Sequence, residues 1–484
     1  MVLYKVYVMF HYTSKELGKL KKMISVCAVI SMLLMTSCTD TSHQSLDVTS
    51  DLPDSVSENA VPVEDVTITI ASCGTFSPSL QMKIDQFNTA DNGYQIVIKD
   101  YLEYYDGSYG IENGRSVEGL EQVALKLYLD IIEGGKVDII PESTLCWDYG
   151  KFDVLLERGA FIDLYPLIDA DPEIGRTMLN EHVLSAHEVN GKLYALPCFF
   201  TINTLIGQSR YVGEKENWNM DELISCWEAM PEDSNFCGVT NKDTIYRTIL
   251  KGNMGSFVNY QESTVSFNTP TFVRMLNFCN AFPDSKMYKT DPDWSVPSFL
   301  EQQSFRGFEN FHMSLWNEAD EPVTFVGYPS ENGNGAFIDT TGQKYGVCTT
   351  SSVEIQEGAW QFLRSLLSCD YQYRYSSAYG EDVGFPINLE AFEKKGKEQT
   401  KKSGQSNVIS MSGVEYDVGY LSQEEYDRLI AYIDSIDQVS RSIEQPVWTI
   451  IDEEIGAFFA GEVTAEEVAK AIQGRASIFV SEKT

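Results

Sequence analysis

From residue 66 onward, short apolar runs alternate with amphipathic stretches. Val66-Thr67-Ile68-Thr69-Ile70-Ala71 is a β-branched run ending near Gly74, the pattern of a buried strand. A helix is predicted over 78–88. Tyr94-Gln95-Ile96-Val97-Ile98 follows the turn Asp91-Asn92-Gly93 and reads as a second strand. Val117, Leu120, Ala124, Leu127 and Ile131 then recur at the 3.6-residue period, which predicts a helix over 117–132. Gly134-Gly135 ends it, and 137–140 reads as a third strand. Strand–helix–strand–helix–strand with connections of this length implies right-handed crossovers and a parallel sheet, so the class is α/β. Ligands in such sheets bind beyond the carboxyl ends of the strands. That directs attention to the loops at 72–76, 101–109 and 142–147. Near the other end, Ser422-Gln423-Glu424-Glu425 and Thr464-Ala465-Glu466-Glu467 read as capping boxes ahead of two apolar-periodic segments.

The second of these loops reads Tyr101-Leu102-Glu103-Tyr104-Tyr105-Asp106-Gly107-Ser108-Tyr109. Core packing explains four tyrosines poorly in a loop, because loops face solvent. Flat amphipathic rings suit sugar faces, with C–H groups on the ring and hydroxyls bonded to polar neighbours. A self-packed aromatic loop fits the same residues.

The amino end follows another pattern. Residues 1–37 hold five lysines against one acid, Glu16, and the apolar run 23–35 follows Lys21-Lys22. A membrane-spanning helix needs ~20 residues; this run instead fits the ~7–15 residues of a signal-peptide core. It ends in Leu34-Met35-Thr36-Ser37-Cys38, which resembles a bacterial lipobox, where cleavage exposes the Cys and its thiol receives lipid. An ordinary cleaved signal with Cys38 incidental is the alternative. Residues 39–65 carry seven acids and no Lys or Arg, a composition that cannot order itself. Behind a lipidated Cys38 it reads as a tether.

Charge narrows the function. The 484 residues carry 36 basic against 71 acidic side chains, a formal −35, which repels phosphate backbones and excludes a general nucleic-acid binder. Apolar residues at 43% supply a sizeable core. No GxSxG, Walker, GxGxxG or HExxH motif occurs, so neither catalysis nor a cofactor is expected. The five histidines are scattered, and His182 and His187 do not share a helical face, so no metal site is expected. Eight cysteines lie beyond Cys38 without CxxC spacing. An exported chain could pair them, but several sit in apolar runs where a free thiol behaves as a small hydrophobe. Mostly free thiols are expected.

Several segments together resemble the extracellular solute-binding proteins of ABC sugar importers, in the maltodextrin-binding-like branch. They are Phe87-Asn88-Thr89, Val137-Asp138-Ile139-Ile140, the stretch from Leu155 to Leu164, Gly191-Lys192-Leu193-Tyr194-Ala195-Leu196-Pro197, and Asn217-Trp218-Asn219-Met220-Asp221-Glu222-Leu223. Gly327-Tyr328-Pro329-Ser330, Tyr345-Gly346-Val347, Ala359-Trp360-Gln361-Phe362-Leu363, Gly384-Phe385-Pro386-Ile387-Asn388 and Glu453-Glu454 ahead of Phe458-Phe459-Ala460-Gly461 follow in the family's order. None is specific alone; their order over 66–484 carries the resemblance.

The resemblance implies a two-lobed periplasmic-binding-protein-like fold, each lobe a mainly parallel sheet flanked by helices, with a hinge between. It implies a signal peptide at 1–37, a tether at 38–65, an amino-terminal lobe of 66–197 plus 329–390 and a carboxyl-terminal lobe of 198–328 plus 391–484. It further implies a monomeric binding lipoprotein, anchored on the extracytoplasmic face of a bacterial membrane, Gram-positive in cell type, that delivers a carbohydrate to ABC permease subunits. A carrier of a non-sugar solute such as a peptide, or a carbohydrate-active enzyme, is the alternative. By family position, Trp147, Trp316 and Trp448 stand where sugar binders offer an aromatic platform. Tyr104 and Tyr105, Glu142 for vicinal hydroxyls, and Phe199 with Asn203 after the crossing complete the candidate site. Core packing is the competing role for each Trp and for Phe199, and solvent exposure for Glu142. Trp218, Trp227 and Trp360 are expected to pack.

Overall fold

The computed structural model describes residues 65–483 apart from short stretches, the longest being 106–108, 111–113, 146–149, 285–296, 318–320, 331–334 and 440–444. Residues 1–64, with the expected signal peptide, Cys38 and nearly all of the expected tether, lie outside the described residues. The principal elements begin with β1 (Val66–Ser72), α1 (Pro78–Thr89), β2 (Tyr94–Asp100), α2 (Val117–Glu133), β3 (Ile139–Pro141), α3 (Glu181–Ala186) and β4 (Leu196–Pro197). Next come β5 (Phe199–Gln208), α4 (Met220–Glu228), α5 (Lys242–Lys251), α6 (Pro270–Asn280), β6 (Glu301–Phe305), α7 (Phe308–Leu315), β7 (Val323–Phe325) and β8 (Phe337–Asp339). The chain then forms β9 (Lys344–Val347), α8 (Val353–Leu366), β10 (Phe385–Pro386), α9 (Leu389–Thr400), β11 (Val408–Met411) and β12 (Val414–Asp417). It closes with α10 (Gln423–Ser435), β13 (Gln438–Val439), α11 (Gln445–Phe459) and α12 (Ala465–Lys483).

Local chemistry explains many of these boundaries. Ser77 caps α1, with Pro78 in the first turn where its missing N–H costs nothing. Ser422 and Glu425 form the expected capping box on α10, and Thr464 and Glu467 bond reciprocally ahead of α12. Asn88 explains its own placement after α1. Its side chain donates to the Ile96 carbonyl at 2.8 Å and accepts from the Ile96 N–H at 2.7 Å. One amide thereby satisfies backbone groups on the open side of β2, the edge strand of its sheet.

The first sheet runs β2-β1-β3-β9-β4. β1 is parallel to β2 and to β3, as the crossover argument requires, while β9 is antiparallel to both β3 and β4. The second sheet is built on β5, which pairs antiparallel with β6, β7 and β8; β13 adds parallel to β8. The α/β class holds, but this second sheet is mixed rather than mainly parallel. The reason is connectivity: β5 runs outward from the first lobe and β8 runs back toward it, so the two meet head to tail.

The crossings between the sheets are read from pairing. Pro197 pairs with Lys344 in the first sheet, and β5 begins two residues after Pro197. The return was expected at Tyr328–Pro329. It falls later, between Asp339, still paired with Thr201 of β5, and Lys344. Tyr328 is held back by a close approach. Its N–H donates to the Gly335 carbonyl at 2.8 Å, and a Cβ at Gly335 would overlap Tyr328 backbone atoms. β10 joins the start of β5, pairing Phe385 with Phe200 and Pro386 with Phe199.

Three apolar clusters fill the layers. One lies between the first sheet and α2, around Tyr101, Leu127, Phe152 and Phe161. A second covers the other face of that sheet with α1 and α8 and continues behind the crossing strands to Phe305, Phe308, Phe392 and Tyr432. The third lies on the opposite face of the second sheet, with α4, α5, α6, α11 and α12. β5 serves both sides in alternation: Ile202 and Ile206 face the second cluster, Leu205 the third. Trp218 and Trp360 are buried and Trp227 packs on the third cluster, as expected.

Candidate functional site

The outward crossing at Pro197 and the return between Asp339 and Lys344 meet the first sheet at one edge. β4 ends there at Pro197, β9 begins there at Lys344, and β3 ends there at Pro141. That is the carboxyl edge of the parallel strands β1, β2 and β3, so it faces the second sheet across the crossing. The space between them is the candidate binding cleft.

On the first lobe this edge carries the tyrosine loop. It opens with a helical turn, Tyr101–Tyr104, started by Asp100, whose carboxylate accepts from the Leu102 and Gly74 N–H groups at 2.9 and 2.8 Å. Tyr101 is not a loop residue in any useful sense. It is fully buried, and its hydroxyl donates to Asp130 at 3.0 Å. Burial, followed by that bond to a carboxylate, pushes its ionisation far up. Tyr105 is half-buried against α2, where a Cβ at Gly119 would overlap its ring. Tyr104 remains 43% exposed, with Lys126 Nζ 5.3 Å from its ring centroid. Within this loop, then, Tyr104 is the ring most available to a ligand.

Glu142 also corrects the sequence reading. It is fully buried, not exposed toward a ligand. Its Oε1 lies 3.0 Å from Lys344 Nζ, and its Oε2 accepts from the Gly342 N–H at 2.6 Å. A carboxylate on a buried strand end is stable only when paired, and here the partners come from the return crossing. Phe199 is likewise a core residue, 5% exposed and paired through its backbone with Pro386. Trp147 lies outside the described residues.

On the second lobe, Asn203 of β5 sits opposite Phe337 and donates from Nδ2 to Asp339 Oδ2 at 3.3 Å. Lys251, at the end of α5, holds its ammonium 5.7 Å from the Phe337 ring centroid. α5 and α11 run antiparallel, because Lys242 at the start of α5 donates to the Phe459 carbonyl at the end of α11 and Tyr246 bonds Asp452 midway. The first turn of α11, with half-buried Trp448, is therefore level with Lys251, at the crossing end of this lobe. Trp448 also packs on the third cluster.

Trp316 is placed elsewhere. It caps the end of α7 away from Phe308, the residue that packs against Phe385 and Phe392. The chain beyond it continues to Val323, which pairs with Gln208 at the far end of β5. Its ring meets Tyr416 of the β11–β12 hairpin edge-on at 5.4 Å. The structure thus groups Asn203 and Trp448 at the crossing end of the second lobe and does not group Trp316 with them. Asp339, Lys251 and Lys344 were missed by sequence reasoning. Lys251 reads in sequence only as a favourable cation in a last helical turn, and nothing local marks the other two.

The described cysteines Cys73, Cys198, Cys226, Cys237, Cys279, Cys348 and Cys369 are free thiols. Burial pushes Cys237 and Cys348 up to about 12 and raises Cys198, Cys226, Cys279 and Cys369 as well. None of these six is a thiolate at neutral pH, so none is an activated nucleophile. Among the described residues, no helix is long and apolar enough to cross a membrane.

No family model and no curated protein matches the chain. Solved structures do. A cyclic α-maltosyl-1,6-maltose binding protein from Arthrobacter globiformis superposes with a TM-score of 0.51 at 14% identity, over 86% of this chain and all of that one. A periplasmic oligogalacturonide binding protein from Yersinia enterocolitica gives 0.55 at 12%, over 86% and 100%. A de novo designed cysteine esterase gives 0.56 at 12%, over 87% and 99%. At these identities the likeness establishes the fold: two α/β lobes joined by crossing strands, the architecture of the solute-binding proteins.

Proposed function

We propose that this chain is the substrate-binding component of an ABC importer, holding a carbohydrate, an oligosaccharide by preference, between its lobes. The observation that carries the reading is the shared edge. The crossings at Pro197 and between Asp339 and Lys344 meet the first sheet where β1, β2 and β3 end, so two lobes face each other over one cleft. The cleft offers an exposed ring at Tyr104, a second aromatic at Trp448, and for hydroxyls the half-buried Asp339, held by the buried Asn203. Neutral, hydrated sugars gain little from polar exchange with water, so ring stacking supplies the orienting term. Binding without turnover is the mechanism. In this reading Cys38 carries lipid, 39–65 is the tether, and membrane permease subunits receive the ligand. Intact-mass analysis of the mature protein is expected to show acylation, and Cys38→Ala is expected to appear in the soluble fraction.

Calorimetry on Tyr104→Ala tests the site. A side chain this exposed contributes little to folding, so the melting temperature should barely move, while affinity for the sugar falls by about 2 kcal/mol or more if the ring is a hot spot. Trp448→Ala should lower both, because that ring also packs on the core. Normal affinity in both variants would place the ligand elsewhere.

A further inference from the structure

We propose that His312 is a pH-sensitive latch: protonated, its ring ties the β11–β12 hairpin to α7 and to the start of α10, and deprotonation loosens that tie. The device does not depend on what the cleft binds. Among the described residues the hairpin pairs with no other strand, so side chains hold it in place. Two of them stand four residues apart at the end of α7, a spacing that puts them on one face. Trp316 meets Tyr416 of β12 edge-on at 5.4 Å. His312 reaches the root of the hairpin, with Nε2 2.8 Å from the carbonyl of buried Val418. On its other side, Nδ1 lies 3.1 and 3.3 Å from the two oxygens of Glu425, in the first turn of α10.

Both partners of this ring can only accept. A carbonyl and an ionised carboxylate have no proton to offer, and a neutral imidazole carries one N–H. Only the imidazolium donates to both; the neutral ring must turn a lone pair toward one of them. His187 is spared this conflict. Its Nδ1 lies 2.8 Å from the Val183 carbonyl, but its Nε2 meets the Thr340 hydroxyl at 2.6 Å, which can donate. His182 reaches one carbonyl, that of Ile436, through Nε2.

The charges around His312 favour its protonated form. Glu425 and Glu309 face it from α10 and α7. In the hairpin, Asp417 turns its carboxylate to the Asn407 and Gly419 N–H groups at 2.8 and 3.2 Å. The strand at 381–382 that adjoins α7 carries Glu381 and Asp382. The cations nearby in sequence are engaged elsewhere. Arg428, one turn along α10, bonds the Val323 carbonyl at 2.9 Å, and Lys397 of α9 pairs with Glu393 at 2.6 Å. Burial works against the charge on His312, yet its bonds to Glu425 and Val418 outweigh it and raise the ring above its ordinary 6.5. Burial likewise opposes the Glu425 carboxylate, and the bonds from His312 and Ser422 outweigh it and lower that group below its ordinary 4.5. A raised group contributes stability that is complete below its unfolded value and is lost as pH rises through its folded value; a lowered carboxylate loses its share on the acid side. The latch is therefore tightest between 4.5 and 6.5 and loosens as pH climbs through the raised value of His312.

Hydrogen exchange of the mature chain, corrected for the intrinsic pH dependence of amide chemistry, reads the latch. An isolated two-stranded hairpin is marginally stable in water, so a loosened one exchanges faster. Loss of a charge-assisted hydrogen bond should speed exchange over 407–418 by about 10- to 100-fold at about pH 8.5 relative to about pH 5.5, with β1 and β3 unchanged. In His312→Gln a neutral amide replaces the ring, so 407–418 should show the faster rate at both pH values. Glu425→Gln keeps the capping box, which accepts Gln as well as Glu, and removes the charge, so the His312 resonance should titrate at lower pH than in the wild type. A wild-type His312 resonance that titrates at or below 6.5 would overturn the proposal. So would a pH dependence over 407–418 that His312→Gln retains. If His312→Gln does not fold, the wild-type and Glu425→Gln titrations decide alone: equal values in the two would equally overturn it.

Discussion

Replacing Asp130 by alanine is expected to destabilise the first lobe by about 2–4 kcal/mol, the range for breaking a buried charge network, reduced because its lysines stay partly in water. Asp130 on α2 is fully buried. It accepts from Lys99 at 2.8 Å, Lys136 at 3.2 Å, the Tyr101 hydroxyl at 3.0 Å, and Lys126. Removing the carboxylate leaves a buried phenol without its acceptor and three ammonium groups crowded together. Burial alone would raise the Asp130 pKa, but the bonds from Lys126, Lys99, Tyr101 and Lys136 outweigh it and hold the carboxyl below its ordinary value of 3.8. A depressed carboxylate contributes stability that is fully present above the unfolded value and drains as pH falls below it. The gap between wild type and Asp130→Ala, measured by urea unfolding, should therefore be constant from pH 7 to about pH 5 and shrink toward pH 3. A gap independent of pH would mean that the effect is packing.

Phe200→Ala is expected to cost about 3–5 kcal/mol, the range for truncating a buried aromatic. Phe200 is fully buried at the crossing. Its ring lies 5.4 Å from Phe385 and 6.5 Å from Phe392, and Phe308 closes the cluster edge-on at 4.8 Å from Phe392. These four rings come from β5, α7, β10 and α9, so no neighbouring side chain can relax into the void without moving a second element. Urea unfolding should show the loss with an unchanged slope. A cost below about 1 kcal/mol would mean that the site collapses to fill the cavity.

The parallel core of the first lobe was legible because its signals are local. β1, α1, β2 and α2 lie within a residue or two of the sequence reading, and both late capping boxes are present. What stayed hidden depends on pairing between distant segments. The resemblance put the return crossing at Tyr328–Pro329, but β8 rejoins the second sheet afterwards, and only pairing with Thr201 reveals it. Glu142 looked like an exposed acid at a strand end; its partners Gly342 and Lys344 are some two hundred residues away. In the tyrosine loop, Tyr104 and Tyr105 were read together as site residues. The structure divides it, because Tyr101 has a buried carboxylate to meet and Tyr105 has a glycine on α2 to lie against, whereas Tyr104 has neither.

Carbohydrate should bind between the lobes without being consumed. A thermal-shift screen of the mature chain across mono- and oligosaccharides, with peptides in parallel, tests it most directly. A ligand that binds only the folded state adds about 2.7 kcal/mol at a hundredfold excess over Kd, enough for a clear rise in melting temperature. At least one sugar should give such a rise and be recovered chemically intact. A rise with peptides and with no sugar, or recovery of a cleaved sugar, would contradict it.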